Sequence, residues 1–199
     1  MNEILADVPA TEEDAANGLA ADSNAAVDMA NAVARAIDFA QKTDDGVQPK
    51  LWDEADVIIV GPSRAGKTTL ANYLAERGLK VANYPLVPGE DPPPELLKLD
   101  QRKVVKLTTQ PEQLQTIRDE RMKSMGRSTS KYADIDAIRK ELRWIQAFYI
   151  RNFPRLPTID TAKVGVAEAA TLIIAQLNSA GVDADAVNKM AQSVTTVVS

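Results

Sequence analysis

Gly61-Pro62-Ser63-Arg64-Ala65-Gly66-Lys67-Thr68 spells G-x-x-x-x-G-K-[ST] in full. That spacing suits one chemistry, the wrapping of a phosphate by backbone N–H groups. A helix starting near Gly66 aims its unpaired N–H groups and positive dipole end at the anion. Lys67 reaches the outer phosphates as a point charge, Arg64 adds a second cation, and the Thr68 hydroxyl is placed to ligate Mg²⁺. A random chain of this length matches the pattern roughly once in 100 to 200 cases, so the signal is specific. The competing reading is a small-residue strand-to-helix turn with a solvated lysine.

Other candidates are weaker, and each has a plain structural alternative. Asp44 and Asp45 can act as general base or Mg²⁺ partner in phosphoryl transfer, or simply shape the turn before Gly46. Asp160 ends a strand-like run and can meet Mg²⁺ across from Thr68, or cap the helix that follows. Arg118 and Arg121 are neighbours on one helix face, where they can clamp phosphates or pair with surface acids. Lys103 and Lys106 read as a solvated strand edge, and Trp52 and Trp144 as packing residues. PGEDPPPE reads as a rigid elbow rather than a substrate-facing loop.

Composition removes many alternatives. The chain has 199 residues, 45% hydrophobic and 26% charged, with no cysteine and no histidine. Disulfides, Cys/His metal sites and histidine-based triads are excluded, so acid–base work falls to Asp, Glu, Lys, Arg or Tyr. Seven of the 28 acids and none of the 23 bases lie within residues 1–34. The body is thus near neutral, and no basic-aromatic stripe marks a nucleic-acid binder. With no apolar run of membrane-spanning length and no signal-like start, the expectation is a soluble, cytoplasmic chain without a membrane partner.

The elements that must position these groups follow from periodicity. Residues 1–27 read as an acidic, Ala-rich tail, mobile or loosely helical. Residues 28–180 read as a P-loop kinase-like domain, and 181–199 as a C-terminal helical tail. Strands are expected over 55–60, 79–87, 103–109 and 156–160. Helices are expected over 28–41, 66–77, 111–125, 132–152 and 163–179. This alternation predicts an α/β fold, a parallel sheet flanked by helices, P-loop NTPase-like.

From Ala32 to about Ala170 the chain resembles the regulatory proteins of pyruvate, phosphate dikinase and phosphoenolpyruvate synthase. The resemblance is carried by DFAQKTDDG, ADVIIVGPSRAGKT, YLAERGLKVANYPLVPG, PPPELLKLD, KVVKLTTQPEQLQTIRDERMKSMG, YADIDAIRKEL and LPTIDTAKVGVAEAA. Thr43 stands where that family commonly has His, and Ala65 and Thr69 where its loop has Thr and Pro. The resemblance implies a bifunctional kinase and phosphorylase. ADP would phosphorylate a threonine of the partner dikinase or synthase, and inorganic phosphate would remove that group as pyrophosphate. Under this reading Lys67, Asp44 and Asp45 are catalytic, the loop through Thr69 with Arg118 and Arg121 holds ADP or ATP, and Thr68 and Asp160 hold Mg²⁺. Two rivals remain open at this stage. One is a small-molecule P-loop kinase or nucleotidase. The other is a non-catalytic nucleotide-binding or assembly protein, a homo-oligomer among its forms.

Overall fold

The computed structural model describes residues 12–126 and 131–182. The first residues of the expected N-terminal tail, 1–11, and residues 183–199 of the expected C-terminal helical tail lie outside the described residues.

Apolar runs buried on both faces build the sheet. β1 (Val57–Gly61), β2 (Val81–Pro85), β3 (Val104–Thr108) and β4 (Thr158–Asp160) are all parallel, in the order β2-β1-β3-β4. Side chains alternate across a strand, so β1 feeds two cores at once. Val57 and Ile59 pack with Leu70, Leu74, Ile173 and Leu177 on one face. Ile58 and Val60 pack with Trp52, Leu96, Ile145 and Phe153 on the other. A strand buried on both faces reads as an unbroken apolar run, as ADVIIV does.

The first face carries α2 (Lys67–Ala75) and α6 (Val166–Ser179), and the second carries α5 (Ile135–Asn152). α2 ends where Gly78 adopts φ +83° and the Leu79 N–H reaches back to the Leu74 carbonyl. α4 (Pro111–Ser124) buries only Leu114 and Arg118, and α3 (Pro94–Lys98) buries Leu96. α1 is longer than expected: it runs unbroken from Glu12 to Lys42, through the proposed boundary at residue 27. Small side chains seat it, with Ala36 and Ala40 packed against Ala75 of α2.

One local expectation is corrected. β3 lies inside the sheet, between β1 and β4, so its lysine has no solvated edge. Lys106 is 5% exposed and donates to the Phe153 carbonyl at 3.0 Å. Lys103 precedes the strand and donates to the Ala55 carbonyl. Trp52 is fully buried, edge-on to Tyr84, as a packing residue should be.

The strand order decides where a ligand can bind. β1 sends its connection to β2 on one side, while β3 lies on the other. Its carboxyl end is therefore a switch point, where open α/β sheets leave a crevice. The Gly61–Thr68 loop leaves β1 at that crevice.

Candidate functional site

The loop turns sharply because two residues take left-handed backbone, Arg64 at φ +72° and Gly66 at φ +83°. For Arg64 this is a strained conformation, held by its surroundings. α2 begins at Lys67, so its unpaired N–H groups open into a cleft of about 500 Å³. Ser63 through Leu70 form one wall of the cleft. Asp45, Thr109, Gln113, Ile117, Thr161 and the start of α6 complete it.

Lys67 is 4% exposed, and its ammonium donates to the Pro62 carbonyl at 3.1 Å. It forms no ion pair among the described residues. Burial lowers its pKa to about 8, against the opposing pull of Asp45 and Asp44. A charge this poorly compensated favours the arrival of an anion.

Asp44 and Asp45 come to the same end of the sheet, with different duties. Asp44 Oδ1 accepts the Thr68 hydroxyl at 2.9 Å and Asn83 Nδ2 at 2.6 Å. Asn83 Oδ1 in turn accepts the Asp45 N–H at 3.2 Å. Asp45 sits at φ +47° and lines the cleft, which Asp44 does not. Thr43 is wholly buried and anchors the turn by donating to the Phe39 carbonyl. Gly46 follows at φ +85°, so close to Tyr84 that a Cβ there would lie 2.8 Å from its ring.

The Thr68 hydroxyl meets Asp44 rather than Asp160. Asp160 Oδ1 accepts the Ala162 N–H, and Oδ2 accepts Gln110 and pairs with Lys163 at 3.5 Å. The carboxylate thus organises the turn after β4; it does not cap the next helix, α6, whose N-cap is Gly165. Thr68 and Asp44 together offer hard oxygen donors, which suits Mg²⁺. The hydroxyl proton is committed to Asp44, which leaves the Thr68 oxygen lone pairs for a cation.

The two arginines part company. Arg121 is exposed in the last turn of α4 and does not line the cleft. Arg118 is 2% exposed and grips Glu141 of α5 through two 2.8 Å bonds. It also donates to the Ser63 and Tyr132 carbonyls. The free phosphate clamp expected from their spacing is therefore not formed, because α4 turns Arg118 inward on the same stripe as Leu114. The residues of PGEDPPPE do not line the cleft either.

A family model described as Kinase/pyrophosphorylase matches residues 4–174. The chain belongs to that family. It is 47% identical over 145 residues to a Geobacter metallireducens protein named as a pyruvate, phosphate dikinase regulatory protein, covering 72% of this chain and 54% of that one. A protein of the same name from Halalkalibacterium halodurans is 47% identical over 139 residues, 69% of this chain and 51% of that one. The Arabidopsis thaliana protein named pyruvate, phosphate dikinase regulatory protein 1, chloroplastic, is 39% identical over 142 residues, 70% of this chain and 35% of that one. The chain spans about half the length, or less, of these relatives. Among the described residues no helix is long and apolar enough to cross a membrane.

Around this cleft, sequence reasoning missed Asn83 and Glu141. Asn83 looked like an ordinary residue of a strand. A polar amide amid the apolar run of β2 was the one signal that it served a partner, since buried amides must be hydrogen-bonded. Glu141 carried no such signal.

Proposed function

We propose that this chain supplies the phosphoryl-transfer site of a bifunctional regulator of pyruvate, phosphate dikinase or phosphoenolpyruvate synthase. In one direction a threonine hydroxyl of the partner takes the β-phosphoryl group of ADP, releasing AMP and a proton. In the other, inorganic phosphate attacks the phosphothreonine, restoring the hydroxyl and releasing pyrophosphate.

The observation that carries the reading is Lys67, a buried ammonium held only by a neutral carbonyl beside a helix N-terminus. Exchange of the Pro62 carbonyl for a phosphate oxygen gives it a charged partner in a low-dielectric site. Phosphoryl transfer depends mainly on positioning and charge neutralisation, and the remaining groups serve those ends. The amides of Gly61 to Thr68 cradle the diphosphate, and Arg64 offsets charge at the rim. Thr68, braced by Asp44, would hold Mg²⁺, which neutralises phosphate charge when bound. Asp45 faces the cleft as the carboxylate that orients the incoming threonine hydroxyl or phosphate. The family membership and the names of the relatives support the choice of a dikinase as protein substrate.

The test is transfer from ADP labelled at the β-phosphate to purified dikinase and to purified synthase, with ATP as a parallel donor. Labelled threonine in one partner is the expected result, with loss of at least 100-fold in Lys67→Ala. Nucleotide turnover without either partner points instead to a small-molecule kinase. Binding without any transfer points to a non-catalytic role.

A further inference from the structure

The terminal nitrogens of Arg118 are fully engaged, while its buried Nε–H has no partner among the described residues. Nη1 donates to Glu141 Oε2 at 2.8 Å and to the Tyr132 carbonyl at 3.2 Å. Nη2 donates to Glu141 Oε1 at 2.8 Å and to the Ser63 carbonyl at 3.1 Å. Each terminal nitrogen has two hydrogens, so all four are spent. The guanidinium also lies 4.4 Å from the centre of the Tyr132 ring. No terminal donor remains for a phosphate, yet the group is 2% exposed and touches the phosphate loop directly.

The contact with Ser63 has a consequence for the next peptide bond. In a planar trans peptide the C=O of one residue and the N–H of the next point in opposite directions. The Ser63 carbonyl is held toward the α4–α5 interface, where Arg118 and Glu141 meet. The Arg64 N–H therefore points the other way, away from that interface. Arg64 sits at φ +72°, a conformation that needs outside support. A flip of the Ser63–Arg64 peptide would turn this N–H toward the cationic guanidinium.

We infer that Arg118, oriented by Glu141, is a positioning residue that locks the Ser63–Arg64 peptide so that the Arg64 N–H donates to the bound diphosphate. The inference rests on the reading of the cleft as a diphosphate site. It also explains why α4, with little apolar surface to bury, keeps a buried ion pair at this point. The pair ties α4, which contributes Gln113 and Ile117 to the cleft, to the loop that must grip the ligand.

The experiment uses the full chain with ADP and pyrophosphate as probes. Affinity is measured by calorimetry, and the Arg64 amide is followed by NMR. In the wild type the Arg64 amide resonance should shift on binding. In Arg118→Met both ligands should bind at least tenfold more weakly, with the Arg64 shift lost. Glu141→Gln keeps the volume and one acceptor, and should fall between the two. Leu96→Ala, in the core under α3 and away from the cleft, controls for general destabilisation and should keep both affinity and shift at a matched melting temperature. If Arg118→Met does not fold, Glu141→Gln decides alone: wild-type affinity and an unchanged Arg64 shift in that variant overturn the inference. The same result in a folded Arg118→Met also overturns it while the diphosphate site stands. A wild type that binds neither probe overturns the reading of the cleft, and the inference with it.

Discussion

The Thr68 hydroxyl donates to Asp44 Oδ1 across 2.9 Å, joining the first turn of α2 to the turn that follows α1. The two residues are 24 apart in sequence. Asn83 completes the arrangement from β2, so donors from two separate elements converge on one carboxylate oxygen of the turn. Such a shared acceptor fixes the Thr68 rotamer before any ligand arrives, and preorganisation of this kind reduces the reorganisation needed during reaction.

The first prediction concerns this brace. Asp44→Ala frees the Thr68 hydroxyl to rotate and removes a negative charge near the cation. The Mg²⁺ concentration giving half-maximal transfer should rise about tenfold, as is typical when a group supporting a metal ligand is lost. A titration of activity against Mg²⁺ reads this directly. An unchanged midpoint would contradict the role given to the pair.

Asp45 should behave differently, because it faces the cleft while Asp44 stands behind it. Asp45→Asn keeps the shape of the turn and removes the charge proposed to orient the acceptor. Loss of a positioned base typically costs about 10²–10⁴-fold in turnover. ADP affinity should change little, since the loop and Lys67 are intact. Equal losses in affinity and turnover would assign Asp45 to binding instead.

The pKa of Lys67 gives a signed pH dependence. Its folded value is about 8, below the ordinary 10.5. Between these values the unfolded chain binds more protons, so stability rises with pH, by about 3 kcal/mol across the window. Lys67→Met lacks this behaviour. It should be more stable than wild type at pH 7, with the gap closing toward pH 10. Anion binding needs the protonated form, so pyrophosphate affinity should fall above pH 8, approaching tenfold per pH unit. A flat calorimetric profile from pH 7 to 9.5 would remove Lys67 from the contact.

Gly46→Ala tests the close approach of the acidic turn to the sheet. A side chain there is strained at φ +85°, and its Cβ would meet Tyr84 Cδ2 at 2.8 Å. The two effects should cost about 2 kcal/mol in thermal or denaturant unfolding. Tyr84→Ala should relieve the steric share, so the double variant loses less than the sum of the singles. Strict additivity would show that backbone strain alone is at work.

Much of this protein was legible from local pattern. Apolar β-branched runs and helical periodicity lie within single segments, and they sufficed for four parallel strands and for the helices around them. The loop from Gly61 to Thr68 is equally local, because it is one contiguous stretch of backbone. What only the tertiary structure decided are contacts set by strand order and helix docking. Asn83 reaches Asp44 because β2 packs beside the turn after α1. Arg118 turns from candidate clamp to buried brace because α5 brings Glu141 to its inward face. Lys106 is covered because the end of α5 lies over it, bringing the Phe153 carbonyl and the Tyr149 ring to its ammonium. Residue type and spacing state what a side chain is able to do, whereas its partner depends on which distant segment the packed sheet carries to it.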